Sequence, residues 1–295
     1  MVFGEDRMSF VFQDAGKVEI QQLGNTYLLS VGNEKKGRNV YGMNLSAFFA
    51  QYSKAAVAFS GGVDSAYLLY AALACGVKVR AYYVKSAFQP QFELDDALRL
   101  AEQLGVEQKI IEVDVLALET IAENSQERCY HCKRLIFESI MREAQADGFP
   151  VLLDGTNASD EEGDRPGMRA LKELSVQSPL RLCGLTKEKI RRLSKEAGLF
   201  TWDKPAYACL ATRIPTGERI TEEKLAATEA AEAYLSAQGF TDFRVRRIGN
   251  IAKLQFPDSQ IMSAVEKREA IVRELKKYYR EVLLDLEPRG CSTNT

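Results

Sequence analysis

The chain has 295 residues, with 39 lysines and arginines against 41 aspartates and glutamates and a formal charge of −2. That length allows two modest cores, and the near-balance of charge lacks the basic footprint of a nucleic-acid partner. No run of about 18 apolar residues marks a membrane span, and six cysteines in a chain this long are too few for a disulfide framework. The opening MVFGEDRMSFVFQ lacks the basic-then-apolar order of a secretory signal. The cysteines are therefore expected to be thiols, ligands or catalysts in a cytoplasmic protein.

Residues 1–42 read as an extension, or as an upstream mis-start. KVEIQQL and NTYLLSV flank Gly24-Asn25 and predict a small hairpin, and GNEKKGRNVYG follows as a polar linker. Asn44 is placed to cap a helix opening at Leu45. Ala55–Phe59 is a buried-strand pattern that runs into Ser60-Gly61-Gly62-Val63-Asp64-Ser65, after which Tyr67, Leu68, Ala71 and Ala72 recur at helical spacing. Strand, glycine turn and helix N-terminus together make an anion cradle, because unpaired N–H groups and the positive dipole end favour phosphate. No lysine follows the glycines, so the loop is not of Walker type, and G-x-G-x-x-G is absent.

Downstream, strands are expected at 77–86, 108–115 and 151–157, with helices at 91–104 and 133–146. This alternation predicts an α/β fold with a parallel sheet, whose ligands sit beyond the carboxyl ends of the strands. Ser60, Ser86 and Gly155 all fall at such ends. After Pro205 the pattern changes to a helix at 221–238, short strands FRVRRI and IAKLQF, a helix at 259–277 and the strand EVLLDL. The expected organisation is thus an extension (1–42), a nucleotide-binding domain (43–205) and a small α+β domain (206–295).

Cys129-Tyr130-His131-Cys132 lies ahead of a predicted helix, and Cys209 sits in KPAYACLATR. Zinc on Cys129, Cys132, Cys183 and Cys209, a redox pair, an iron–sulfur cluster on three thiolates, and free thiols are all compatible with these positions. Three-thiolate ligation leaves one iron open and able to carry an extra sulfide, which beside a phosphate-binding loop points to sulfur delivery. Cys75, in a helix tail, reads as a small core residue. His131 is the sole histidine, which leaves little room for a histidine triad.

Residues 154–169 read DGTNASDEEGDRPGMR. A carboxylate here, Asp160 or Asp164, is a candidate to help hold Mg²⁺ on a triphosphate. Arg165, before Pro166-Gly167, is a candidate to orient an anionic substrate. Lys133 offers a point charge to a phosphate or carboxylate. Arg213 is placed likewise if its loop folds over the site, and Arg244 and Arg246 alternate with Val245 to present two guanidiniums from one strand face.

The SGG-x-DS string resembles the PP-loop of the N-type ATP pyrophosphatases (adenine nucleotide alpha hydrolase-like proteins). Together with LDGTN (153–157), DRPG (164–167), WDKPAYACLATR (202–213) and FRVR (243–246), it makes the chain similar to the LarE family from about Met43 to Leu286. That family comprises ATP-dependent sulfur transferases that build the nickel-pincer nucleotide cofactor. The resemblance implies adenylation of a pyridinium-3,5-dicarboxylate mononucleotide and replacement of AMP by sulfur, leaving thiocarboxylates. It implies that Ser60, Gly61, Gly62, Asp64 and Ser65 hold the triphosphate and that Ser86 and Gly155 meet the adenosine. Arg213, Arg244 and Arg246 would meet substrate anions.

In one version of the family a single cysteine, at the position of Cys209, gives up its own sulfur. In the other, three cysteines resembling Cys129, Cys132 and Cys209 hold a 4Fe-4S cluster whose extra sulfide is transferred. All three are present here, which favours the cluster version. The implied partners are a sulfide donor, further copies of the chain in a homo-oligomer and a downstream nickel-inserting enzyme. The competing readings are a tRNA thiolase and an ammonia-dependent synthetase. The ending LEPRGCSTNT departs from the family pattern and leaves Arg289 without an assigned role.

Overall fold

The computed structural model describes residues 44–160 and 166–290 in full, and the backbone of 7–12, 16–23 and 26–31. Asp164, Arg165 and Cys291 lie outside the described residues. Strands β1 (Arg7–Phe12), β2 (Gly16–Leu23) and β3 (Thr26–Val31) form an antiparallel sheet in that order. The expected hairpin is the β2–β3 pair, with Leu23 opposite Thr26, and its Gly24-Asn25 turn lies outside the described residues.

Helix α1 (Leu45–Phe49) begins on Asn44, whose Oδ1 accepts the Ala47 N–H at 2.8 Å. Then come β4 (Lys54–Ala58), α2 (Val63–Ala74), β5 (Lys78–Lys85), α3 (Gln91–Leu104), β6 (Gln108–Glu112), α4 (Glu119–Ala122), α5 (Arg128–Ala146) and β7 (Leu152–Leu153). The four strands make one parallel sheet in the order β6-β5-β4-β7. This is the expected α/β architecture: parallel neighbours need crossovers, and the crossover helices cover both faces. Successive residues of β4 show the consequence. Ala55 and Val57 join a core with Leu68, Leu69 and Leu100, whereas Ala56 joins the opposite core with Tyr82, Phe137 and Ile140. Because both faces are buried, the strand is continuously apolar from Ala55 onward and does not alternate.

Strand β7 is shorter than the 151–157 expected. It pairs with β4 only through Leu152 and Leu153, and at Asp154 the backbone N–H turns to the Gln177 carbonyl. The Asp154 carboxylate takes hydroxyl donors from Ser178, at 2.6 Å, and from Thr156, fixing the turn that follows. Helix α5 starts five residues before the predicted 133, so the C-x-x-C lies within its first turns and not ahead of it. Cys75 caps α2 and is exposed, not a core residue, because the helix ends there with Gly76 at φ +77°.

Helices α6 (Pro166–Glu173), α7 (Pro179–Leu182) and α8 (Lys187–Glu196) and two single 3-10 turns (200–203 and 210–213) lead to α9 (Glu222–Ala237), β8 (Arg244–Ile248) and β9 (Ile251–Gln255). The chain finishes with α10 (Asp258–Glu266), α11 (Arg268–Leu275) and β10 (Glu281–Leu284). These last strands form a separate sheet in the order β10-β9-β8, over a core that includes Leu235, Val245, Phe256 and Leu275. The single helix predicted at 259–277 is two helices. Lys267 leaves helical geometry (φ −88°, ψ 8°) and donates its ammonium to the Gln238 carbonyl at 2.8 Å, so a tertiary contact overrides helix propensity.

Candidate active site

The glycine turn after β4 is wound on its own hydroxyls. Ser60 and Ser65 face each other, Oγ to Oγ, at 3.2 Å; the Ser65 hydroxyl also reaches the Gly62 carbonyl at 3.2 Å. Gly61 has φ +71°, and a side chain there would press on Ala97 of α3 at 3.2 Å. Gly62 is the N-cap of α2 and brings no side chain to its open N–H groups, which leaves the helix end free for an anion. Across the turn, a Cβ on Gly155 would sit 2.8 Å from the Ser65 backbone nitrogen. Gly155 is thus the residue that lets β7 approach the start of α2.

Ser60, Gly62, Asp64, Ser65 and Gly155 line one cleft of about 490 Å³, and Lys133, Asp160 and Cys209 line the same cleft. Asp64 is held by Lys187 Nζ at 2.5 Å and by the Asn157 amide at 3.3 Å. Burial pushes its carboxyl up against the opposing bond and charge of Lys187, and Asp160 adds to the rise. Asp160 itself accepts the Asn157 backbone N–H at 2.8 Å. Lys133 passes beside Gly167, where a Cβ would meet its Cδ at 3.0 Å, so the α6 glycine makes room for the lysine stem. Ser86 is turned into its own loop, its hydroxyl donating to Gln89 at 2.6 Å, and it is Gln89 that lines the cleft.

The thiols of Cys129, Cys132 and Cys209 come from α5 and from the cap of the 210–213 turn, and each lies within the others' electrostatic reach. Burial pushes the Cys132 thiol up to about 12, with Cys209 and Cys129 adding to it. Burial also raises Cys209, moderated by the Arg128 guanidinium. Cys183 packs against the core beneath α2 and does not join them, so the four-thiol zinc reading is not assembled. Among the described residues no three His, Cys, Asp or Glu side chains gather closely enough to hold a single metal ion. For a cluster the donor chemistry fits, being three soft thiols, of which Cys132 and Cys209 pack against apolar residues and Cys129 is exposed.

The arginines expected to meet substrate are engaged by the protein. Arg213 is 1% exposed, and Glu232 takes its Nε at 2.8 Å and Nη2 at 3.2 Å. Arg244 donates to the carbonyls of Ala206 (2.5 Å) and Phe243 (2.6 Å), while Arg246 donates to Gln255 and the Thr212 carbonyl. Burial lowers Arg244 to about 10, with Arg213 and Arg289 adding to the fall; the same causes lower Arg246. The expected guanidinium wall is therefore a cluster engaged by the protein, in which Glu232 pairs with Arg213, and Arg213 and Arg244 stack on Tyr207 at 4.6 and 5.2 Å. A second cavity, of about 520 Å³ between α3 and α9, receives Arg244, Phe92 and Phe240, and shares the wall Lys204–Tyr207 with the first.

Sequence reading missed Lys187, Glu93, Glu232, Asn124 and Arg128. Glu93 lines the cleft, and burial pushes its carboxyl up to about 7 despite nearby Lys204. Lys187, in the first turn of α8, is marked only by a Thr186 cap, and Glu93 and Glu232 look like ordinary solvent-facing helix acids. Arg128, beside the C-x-x-C, carried the one local signal.

A family model for the queuosine biosynthesis protein QueC matches residues 54–132, the stretch from β4 to the second cysteine of the C-x-x-C. An uncharacterized protein of Synechocystis sp. is 35% identical over 252 residues, spanning 83% of this chain and 92% of the relative. The pyridinium-3,5-bisthiocarboxylic acid mononucleotide synthase of Lactiplantibacillus plantarum is 32% identical over 245 residues, spanning 82% of this chain and 89% of the enzyme. The chain belongs to the LarE family. As a LarE-family protein it is an ATP-using sulfurtransferase. Its likeness to the tRNA-specific 2-thiouridylase of Thermotoga maritima, 29% over 188 residues, spans 50% of this chain and 52% of that enzyme. The LarE assignment rests on 82% of this chain, and the thiouridylase likeness on 50% of it. No helix among the described residues is long and apolar enough to cross a membrane.

Proposed function

We propose that this protein adenylates the carboxylates of a pyridinium-3,5-dicarboxylate mononucleotide and converts them to thiocarboxylates. The observation that carries the reading is one cleft lined by both the phosphate loop and Cys209. Residues 43–205 serve the nucleotide, and residues 206–295 serve the acid and its neighbours in an oligomer.

ATP enters with its phosphates against the N-terminus of α2, where Gly61 and Gly62 allow close approach and Ser60 and Ser65 supply hydroxyls. Asp64 and Asp160 suit the Mg²⁺ of the nucleotide, since that ion is usually held by one or two carboxylates plus the phosphates. A substrate carboxylate oxygen attacks the α-phosphorus, the bond to pyrophosphate breaks, and an acyl-adenylate forms. Lys133 offsets charge developing on the phosphate. Sulfide then attacks the acyl carbon and the bond to AMP breaks, leaving a thiocarboxylate. The reaction needs this activation because carboxylate oxygen leaves poorly and AMP leaves well.

Cys129, Cys132 and Cys209 would hold a 4Fe-4S cluster that supplies sulfur at the sulfide level when bound. Cys209 is the thiol of the three that also lines the cleft, so it sits between the sulfur source and the activated acid. The test is anaerobic purification with iron and acid-labile sulfide analysis, followed by incubation with ATP and the dicarboxylate mononucleotide. Release of pyrophosphate and AMP, with a product carrying sulfur in place of oxygen, is expected. An iron-free protein that turns over once and loses about 34 Da, hydrogen sulfide leaving a cysteine, refutes the cluster assignment. No pyrophosphate release refutes the reading entirely.

A further inference from the structure

Two of the three thiols are fixed by one helix, and the third arrives from a distant segment with little regular structure of its own. What holds that segment is a buried polar unit made by Asn124 and Arg128. Asn124 is 0% exposed and has φ +57°, a left-handed conformation that asparagine tolerates. Its side-chain oxygen accepts Arg128 Nη1 at 2.5 Å, which turns the amide nitrogen toward the opposite segment. That nitrogen donates to the carbonyls of Pro215 (2.7 Å), Glu218 (3.1 Å) and Ile214 (3.3 Å). Arg128 Nη1 also reaches the Ala211 carbonyl at 3.1 Å, and Arg128 Nη2 donates to Cys129 Sγ at 3.4 Å. Backbone bonds from Gly217 to Asn124 and from Ile220 to Ala122, both 2.8 Å, complete the seam.

One guanidinium therefore touches the first thiol with one arm and the carbonyl two residues beyond the third thiol with the other. An arginine fork spans these partners in fixed geometry, which a lysine cannot do. We propose that Asn124 and Arg128 are positioning residues which set the separation of Cys209 from Cys129 and Cys132. They touch no substrate; their effect is to keep the 209–218 segment docked on α5. The inference rests on the reading that the three thiols act as one centre.

Dibromobimane, which fluoresces once both its arms have alkylated neighbouring thiols, reports this separation in metal-free, reduced, full-length protein, with peptide mapping to identify the bridged cysteines. Iron and sulfide uptake on anaerobic reconstitution is the parallel readout, and melting temperature verifies folding. Wild type is expected to bridge Cys209 to Cys129 or Cys132. Asn124→Gly keeps the left-handed backbone, and Arg128→Lys keeps the charge; each is expected to lower the bridging rate by about fivefold or more, since such rates follow proximity, and to take up less iron. Asn124→Asp retains the acceptor for Arg128 and loses the donors, and is expected to behave like Asn124→Gly. Folded variants that bridge at the wild-type rate overturn the proposal. Wild type that bridges but takes up no iron overturns the cluster reading and leaves the clamp standing. If Asn124→Gly does not fold, Arg128→Lys and Asn124→Asp decide the matter.

Discussion

Replacing Glu232 by glutamine should destabilise the protein far more than an exposed helix position would. The carboxylate is 5% exposed and accepts four hydrogen bonds, from Arg213 Nε (2.8 Å), Arg213 Nη2 (3.2 Å), Tyr207 Oη (2.5 Å) and Val245 N (2.9 Å). Glutamine keeps the shape but removes the charge, and one acceptor oxygen becomes a donor. If that NH₂ faces Tyr207, the phenol can turn to accept, but Arg213 Nη2 cannot; if it faces Val245, two donors meet there as well. Arg213 is then a buried cation without its counter-charge. Breaking a buried ion pair from one side costs about 3–5 kcal/mol, which for a chain of this size is a fall in melting temperature on the order of 10 °C. Calorimetry or urea unfolding measures it, and the double variant with Arg213→Met should recover part of the loss. A shift below about 2 °C, or strict additivity in the double variant, refutes the argument that Glu232 supplies the counter-charge of Arg213.

Glu93 makes a pH-dependent prediction. Burial raises its carboxyl from 4.5 to about 7, so the fold favours the protonated acid. Stability is then fully present below the unfolded value, falls as pH rises from 4.5 to about 7, and stays flat above. The shift amounts to about 3 kcal/mol. Glu93→Gln should therefore melt above wild type at pH 8 and alongside it near pH 4.5; parallel curves across that range would contradict the burial argument. Gly155→Ala places a Cβ 2.8 Å from the Ser65 nitrogen and must displace the start of α2. ATP affinity, followed by calorimetric titration, should fall about tenfold or more, and an unchanged Kd would mean the phosphate does not use that helix end.

The nucleotide half was legible because its signals are local. Strand 54–58, the SGGVDS turn and the Asn44 cap are each decided by a few adjacent residues. The pair Cys129 and Cys132 is likewise local, since both belong to α5, whereas Cys209 arrives from a segment 77 residues further on. The arginines' partners were illegible for a different reason. Alternation along β8 correctly put Arg244 and Arg246 on one face, but the carbonyls that take their guanidiniums, of Ala206 and Thr212, come from other segments. Lys187 and Asp64, and Asn124 and Pro215, likewise meet only after the chain folds. The broken helix at Lys267 belongs to the same class, since its cause is the Gln238 carbonyl.

The stretch Lys204–Tyr207 is a partition with a room on either side. It is braced from one side by Lys204 on Asp96 at 2.6 Å and from the other by Arg244 on the Ala206 carbonyl, with Tyr207 carrying Phe92 edge-on at 4.9 Å. Any displacement of this shared stretch changes the dimensions of both rooms at once. Any coupling between guests of the two rooms would run through this stretch, and by reciprocity whatever the first guest did to the affinity of the second, the second would do to the first. The affinity of one guest measured with and without the other then reports on the partition itself, and Tyr207 is the place to read it.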